Sequence, residues 1–160
     1  MPLLLVLLEF GCISNKDSIQ GDMLIEWDSF PFLRSKFMHF GSEFENKQLL
    51  LAEEAKYLVE HYGFTSSVAV RVDEKRYEAF KYFTQNGWIV KCGMKYGVDF
   101  ILYSDSVSVV HAEYAVWIRR PCEWSHVIAI SRSCSSVKKK LLVYENGMYY
   151  QICRWIPDTN

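Results

Sequence analysis

Apolar positions in the first 41 residues follow no sustained period, since aromatic and acidic residues alternate irregularly after an opening run from Leu3 to Leu8. That irregularity predicts only short strands or turns. The opening run lacks a basic flank, meets Glu9 at once and falls far short of the roughly 20 apolar residues of a membrane helix. It is expected to be a buried strand or short helix rather than a targeting segment. From Leu49 onward the pattern sharpens, with Ala55, Leu58 and Val59 on one face of a helix that ends near Gly63. Residues 65–72 are rich in β-formers and fit a strand or a linker. Asp73 can then cap a second helix through about Gln85 that buries Tyr77, Phe80 and either Tyr82 or Phe83, with Asn86-Gly87 ending it.

Beyond residue 87 the pattern is that of a sheet with one helix. Residues 88–90 and 99–103 are apolar runs separated by Gly93 and Gly97, as in two strands joined by a turn, and residues 112–118 supply a third strand. Pro121 stands where a helix can begin, and Trp124, Val127, Ile128 and Ser131 recur at helical spacing ahead of a polar turn at 133–136. Residues 140–144 and 148–152 flank Asn146-Gly147, the strongest short hairpin signal. The expected fold is α/β: a small N-terminal α/β domain over residues 1–70, then a C-terminal domain over residues 71–160 with a mixed sheet and a flanking helix.

Composition adds a charge division. The net charge of the 160 residues is −1, yet residues 1–70 hold five Lys/Arg against ten Asp/Glu and residues 71–160 hold thirteen against nine. A polyanion should therefore meet the second half, although the overall balance argues against non-specific coating of nucleic acid. Five cysteines with no C-x-x-C pair and no histidine at zinc-finger spacing fit a reducing compartment. Half the residues are hydrophobic, enough for a real core.

Three residues invite a chemical reading. Tyr103 closes one predicted strand, His111 opens the next, and Lys139 starts the strand after the helix, so all three can reach one end of the sheet. Such a set can cleave RNA without a metal because the substrate supplies its own nucleophile, the ribose 2′-hydroxyl. A base must take its proton, an acid must protonate the departing 5′-oxygen, and a cation must offset the charge that builds on phosphorus. Histidine, with a reference pKa near ~6.5, is the natural acid. Tyrosine, near ~10, needs a cation to become a base, and Lys139 beside Tyr103 is expected to lower it. Each residue also has an ordinary use: a strand-end tyrosine packs, a lone histidine is structural, and Lys138-Lys139-Lys140 is a solvated face. Spacing alone leaves both readings open.

The ordered blocks at 95–103 (KYGVDFILY), 111–116 (HAEYAV) and 136–142 (SVKKKLL) resemble the C-terminal catalytic domain of tRNA-intron endonucleases. The likeness covers about residues 73–156, and the helix after Leu49 is similar to the one that precedes this domain in the family. Residues 87–97, Arg119-Arg120-Pro121-Cys122-Glu123-Trp124, Ile130-Ser131-Arg132 and Arg154-Trp155 look most similar to the eukaryotic subunit that cuts the 5′ splice site. The resemblance implies Tyr103 as general base, His111 as general acid and Lys139 as the transition-state cation, with a 2′,3′-cyclic phosphate and a 5′-hydroxyl as products. It also implies that Arg132 and Trp155 clamp a flipped base by stacking.

No cofactor is implied. The implied partners are precursor tRNA and other subunits of a splicing endonuclease, or further copies of the chain, with no membrane, in the nucleus or cytoplasm. The strand at 148–155 is expected at a sheet edge, open to another subunit. Two alternatives stand beside this reading: a non-catalytic assembly subunit, and a metal-dependent nuclease with Asp99 and Glu113 as ligands. A pure RNA-binding module is disfavoured because no RNP-type aromatic motif is present.

Overall fold

The computed structural model describes residues 4–5, 7–9, 23–25, 39–44, 47–66 and 70–153. Contacts divide the chain into two compact units at the junction of Tyr77 and Glu78.

In the first unit, β1 (Leu4–Leu5) pairs parallel with β6 (Thr65–Ser66). Strands β2 (Leu7–Glu9), β3 (Met23–Ile25), β4 (Ser42–Phe44) and β5 (Lys47–Leu50) form an antiparallel sheet in the order β2-β3-β5-β4. Residues 4–5 and 7–8 of the opening apolar run are thus strand, one of its two expected forms. Helix α1 (Ala52–Tyr62) starts three residues later than its apolar pattern suggests, because Leu49 and Leu50 belong to β5. Glu54 sets that start: one carboxylate oxygen accepts the Leu51 N–H at 2.9 Å and the other accepts the Gly41 N–H at 2.9 Å. These bonds satisfy donors that a helix N-terminus leaves open and keep a buried carboxylate paired. Ala55 and Leu58 face inward with Leu50 and Phe64, and Val59 packs against them, as the period requires. Gly63 closes the helix in the left-handed region at φ 70°.

Helix α2 (Glu74–Gln85) begins where Asp73 accepts the Arg76 N–H at 2.9 Å. In the second unit its residues Phe80 and Phe83 are buried and Tyr82 is half-buried. The five-stranded sheet consists of β7 (Ile89–Cys92), β8 (Phe100–Tyr103), β9 (Tyr114–Ile118), β10 (Lys140–Glu145) and β11 (Met148–Ile152), in the order β11-β10-β9-β8-β7. Only β9 and β10 run parallel; the other pairs are antiparallel. The parallel step needs a crossover, which helix α3 (Trp124–Ser136) supplies. The mixed sheet with flanking helices is the expected fold class.

Alternation assigns the two faces. Ile101, Ala115, Trp117, Leu141 and Val143 form one core with Val127, Ile130 and Cys134 of α3. On the other face Phe80 meets Phe100 at 6.1 Å, and Phe83 meets Tyr144 at 5.9 Å. The buried stripe of α3 is Val127, Ile130 and Cys134, whereas Trp124 and Ile128 are exposed. One expectation for α3 is corrected: the helix continues through residues 133–136 instead of turning there. The Ser135 and Ser136 hydroxyls donate back to the Ser131 and Ser133 carbonyls at 2.8 and 2.7 Å, so these serines stay within the helix, and Cys134 just before them is wholly buried.

Strand β11 is an edge, with Met148, Tyr149 and Tyr150 exposed. It returns from β10 through Asn146 and Gly147, both at positive φ (50° and 79°), as a two-residue hairpin of the Asn-Gly type demands.

Candidate active site

The register brings three chain segments to one end of the sheet. Leu102 lies opposite Tyr114 and Lys140 lies opposite Tyr114 on the other side, so one step outward Tyr103, Glu113 and Lys139 stand in a row. The backbone continues the ladder there: the Glu113 N–H donates to the Leu102 carbonyl at 3.0 Å and the Lys140 N–H donates to the Glu113 carbonyl at 3.1 Å. His111 sits two residues further out, at the end of the loop 104–110. That loop contains neither Gly nor Pro, and it holds its own turn through Val109 and Val110 N–H bonds to the Ser106 carbonyl, at 2.8 and 3.0 Å.

Each of the three lysines has a separate place. Lys138 takes the left-handed conformation at φ 56°. The Lys138 N–H donates to the Ser135 carbonyl at 3.1 Å and the Lys139 N–H to the Cys134 carbonyl at 2.9 Å, the paired bonds of a Schellman ending for α3. Lys139 thereby stands at the sheet end. Its ammonium donates to the Ala112 carbonyl, the peptide that follows His111, at 3.1 Å, and lies 5.1 Å from the Tyr96 ring centroid. Lys140 leaves by the other face, pairing with Glu113 at 3.1 Å and covering the Tyr114 ring at 5.2 Å.

Tyr103 is half-buried and packs against the core shared with α3, alongside Tyr96 and Ile152. His111 is exposed and precedes β9 by three residues rather than opening it. The expectation that Lys139 lowers the pKa of the Tyr103 phenol is corrected. Burial raises it above its ordinary value, and the neighbouring Tyr96 phenol adds to that rise. The physical reason is that desolvation penalises the phenolate.

Arg132 is exposed on α3, and Trp155 lies outside the described residues. Asp99 and Glu113 do not converge. Asp99 precedes β8 and accepts the Ile118 N–H at 2.8 Å and both Arg120 guanidinium nitrogens at 3.2 Å, at the end of the sheet opposite Tyr103. Glu113 stands at the Tyr103 end in its pair with Lys140. Among the described residues no group of three His, Cys, Asp or Glu side chains is placed to hold a metal ion. A hollow lined by Arg120, Cys122, Glu123 and His126 also lies at the Asp99 end, away from Tyr103 and Lys139. Tyr103 and Lys139 stand instead at the opposite end of the sheet. Sequence reasoning did not single out Tyr96 for a role of its own; the signal was its place between Gly93 and Gly97 ahead of the Tyr103 strand.

No helix among the described residues is long and apolar enough to cross a membrane. Residues 74–147 match the family described as tRNA intron endonuclease, catalytic C-terminal domain. The chain is 37% identical over 78 residues to tRNA-splicing endonuclease subunit Sen2 of Mus musculus, covering 42% of this chain and 17% of that protein. It is 36% identical over 91 residues to the probable subunit sen2 of Schizosaccharomyces pombe, covering 51% and 22%. To the tRNA-splicing endonuclease of Methanococcus maripaludis it is 35% identical over 106 residues, covering 62% and 54%. The chain therefore spans about a fifth of the length of these Sen2 proteins and about half that of the archaeal one. The likeness thus lies in residues 74–147, just under half of the chain, which match the catalytic C-terminal domain of tRNA intron endonucleases.

Proposed function

We propose that this chain is the catalytic subunit of a tRNA-splicing endonuclease, cutting precursor tRNA at an intron boundary, the 5′ splice site by its likeness to Sen2 subunits. The observation that carries the reading is the row at one sheet end, where Tyr103 and Lys139 flank the backbone that leads from His111. A metal-independent transesterification uses such a set directly. Tyr103, once ionised, takes the proton of the 2′-hydroxyl, and the 2′-oxygen bonds to phosphorus as the bond to the 5′-oxygen breaks. His111 gives its proton to that leaving oxygen. Lys139 balances the added negative charge of the phosphorane, and the products are a 2′,3′-cyclic phosphate and a 5′-hydroxyl.

Burial favours the protonated Tyr103 phenol, so the ionised form that the reaction needs is reached against desolvation. Arg132 and Trp155 are proposed as stacking contacts for an unpaired base, a mode that reads shape rather than sequence. Partner subunits of the same endonuclease would add to the β11 edge, whose exposed Met148, Tyr149 and Tyr150 suit strand pairing. The free cysteines among the described residues fit a reducing compartment such as the nucleus.

The test is to incubate the chain, alone and with candidate partner subunits, with intron-containing precursor tRNA in excess chelator and to identify both new ends. Cyclic phosphate and 5′-hydroxyl ends are expected, and a single 2′-deoxy nucleotide at the cut should block the reaction. Cleavage that vanishes with chelator, or that leaves 5′-phosphate ends, would overturn the mechanism.

A further inference from the structure

Tyr96 ends the short 3-10 turn Met94–Tyr96, which stands between Gly93 and Gly97 and is pinned by the Tyr96 N–H bond to the Gly93 carbonyl at 2.8 Å. Its half-buried ring packs against the same core as Tyr103, and the Lys139 ammonium sits 5.1 Å from its centroid. A lysine carries a point charge on a flexible four-carbon stem, so one carbonyl contact leaves its direction loosely set. With the Ala112 carbonyl at 3.1 Å on one side and an aromatic face on another, the ammonium is fixed by two contacts, and a donor remains for a phosphate oxygen.

We infer that Tyr96 is a positioning residue for the reaction: its ring holds Lys139 against the end of β8, so that the cation and the Tyr103 phenol face the same phosphodiester. This rests on the catalytic reading of Lys139 given above. The ring, rather than the hydroxyl, is the working part, because the contact to the ammonium is made to its face.

The experiment compares Tyr96→Leu and Tyr96→Phe in the full chain, together with whatever subunits cleavage requires, with Lys139→Ala measured alongside. Tyr96→Leu is expected to lose about fivefold to tenfold in rate at saturating precursor tRNA, the size of one cation–π contact, with KM within about twofold. Tyr96→Phe should recover most of that loss. By NMR, the Lys139 ε-methylene protons should be displaced upfield of those of exposed Lys138, in the native chain and in Tyr96→Phe alike. The inference is overturned if Tyr96→Leu cleaves at the native rate, if Tyr96→Phe falls as far as Tyr96→Leu, or if the loss lies in KM. Should Tyr96→Leu not fold, the NMR comparison decides, and Lys139 resonances coinciding with those of Lys138 overturn it. Lys139→Ala at the native rate removes the catalytic reading itself and is recognised separately from any Tyr96 result.

Discussion

Asp99 is the residue whose removal the structure prices most clearly. It is buried, accepts the Ile118 N–H at 2.8 Å, and is paired with Arg120, whose side chain is 52% exposed. Asp99→Ala strips the acceptor from a buried backbone donor, which costs about 1–3 kcal/mol. It also ends an ion pair that, with one partner half in water, contributes only about 0–1 kcal/mol. With both ranges taken at their middle, the sum is about 2.5 kcal/mol. Asp99→Asn keeps an oxygen for the Ile118 N–H and loses mainly the charge, so about 1 kcal/mol is expected. Urea unfolding separates the two: with m between about 1 and 3 kcal/mol/M, Asp99→Ala should move the midpoint by about 1 M or more, and Asp99→Asn by less than half as much. Equal losses for the two variants would refute the reasoning, since the charge and not the N–H acceptor would then dominate. Because Asp99 lies at the sheet end opposite Tyr103, folded Asp99→Asn should also still cleave, whereas a metal ligand would not tolerate the exchange.

Three further outcomes follow from the geometry. Lys138→Gly should stabilise the chain by about 0.5–1 kcal/mol, because a residue at φ 56° in the helix ending favours glycine; a lower thermal midpoint would contradict this. Gly93→Ala should cost about 1–3 kcal/mol in urea unfolding, since its Cβ would stand 2.5 Å from Val98 Cγ2 and 2.9 Å from the Phe100 backbone, and native stability would show that the turn yields freely. Alkaline stability follows from the buried tyrosines. Tyr57, Tyr103 and Tyr144 all have raised values, chiefly by burial, so below about pH 10 they are protonated in both states. Above that the unfolded chain releases protons first, and stability should fall as pH rises towards the folded values. Tyr103→Phe should make the fall in melting midpoint shallower, and an unchanged slope would count against its raised value.

Much of the second unit was legible in the sequence because its signals are local. Asn146-Gly147 demanded a hairpin, Asp73 a helix start, and the runs before Tyr103 and after His111 two paired strands. The end of α3 was not legible, because serines at 135 and 136 look like a turn until their hydroxyls are seen bonded to the helix's own carbonyls. Its inward stripe was not legible either: Trp124 and Ile128 fit a helical period, yet the buried stripe is Val127, Ile130 and Cys134. The site shows the same divide. That Tyr103 and Lys139 share a sheet end follows from strand order, while the partner of the Lys139 ammonium depends on Tyr96 and Ala112, which only the tertiary arrangement brings together. The opposite ends occupied by Asp99 and Glu113 were equally hidden until the register was known.

The central claim is that Tyr103, His111 and Lys139 serve one phosphodiester, and single-turnover cleavage of precursor tRNA by Tyr103→Phe, His111→Ala and Lys139→Ala tests it most directly. Removing a proton-transfer group or the fixed cation should slow cleavage about 100-fold or more in each case, with folding intact. A folded variant at any one of the three positions that cuts within about threefold of the native rate would contradict the account.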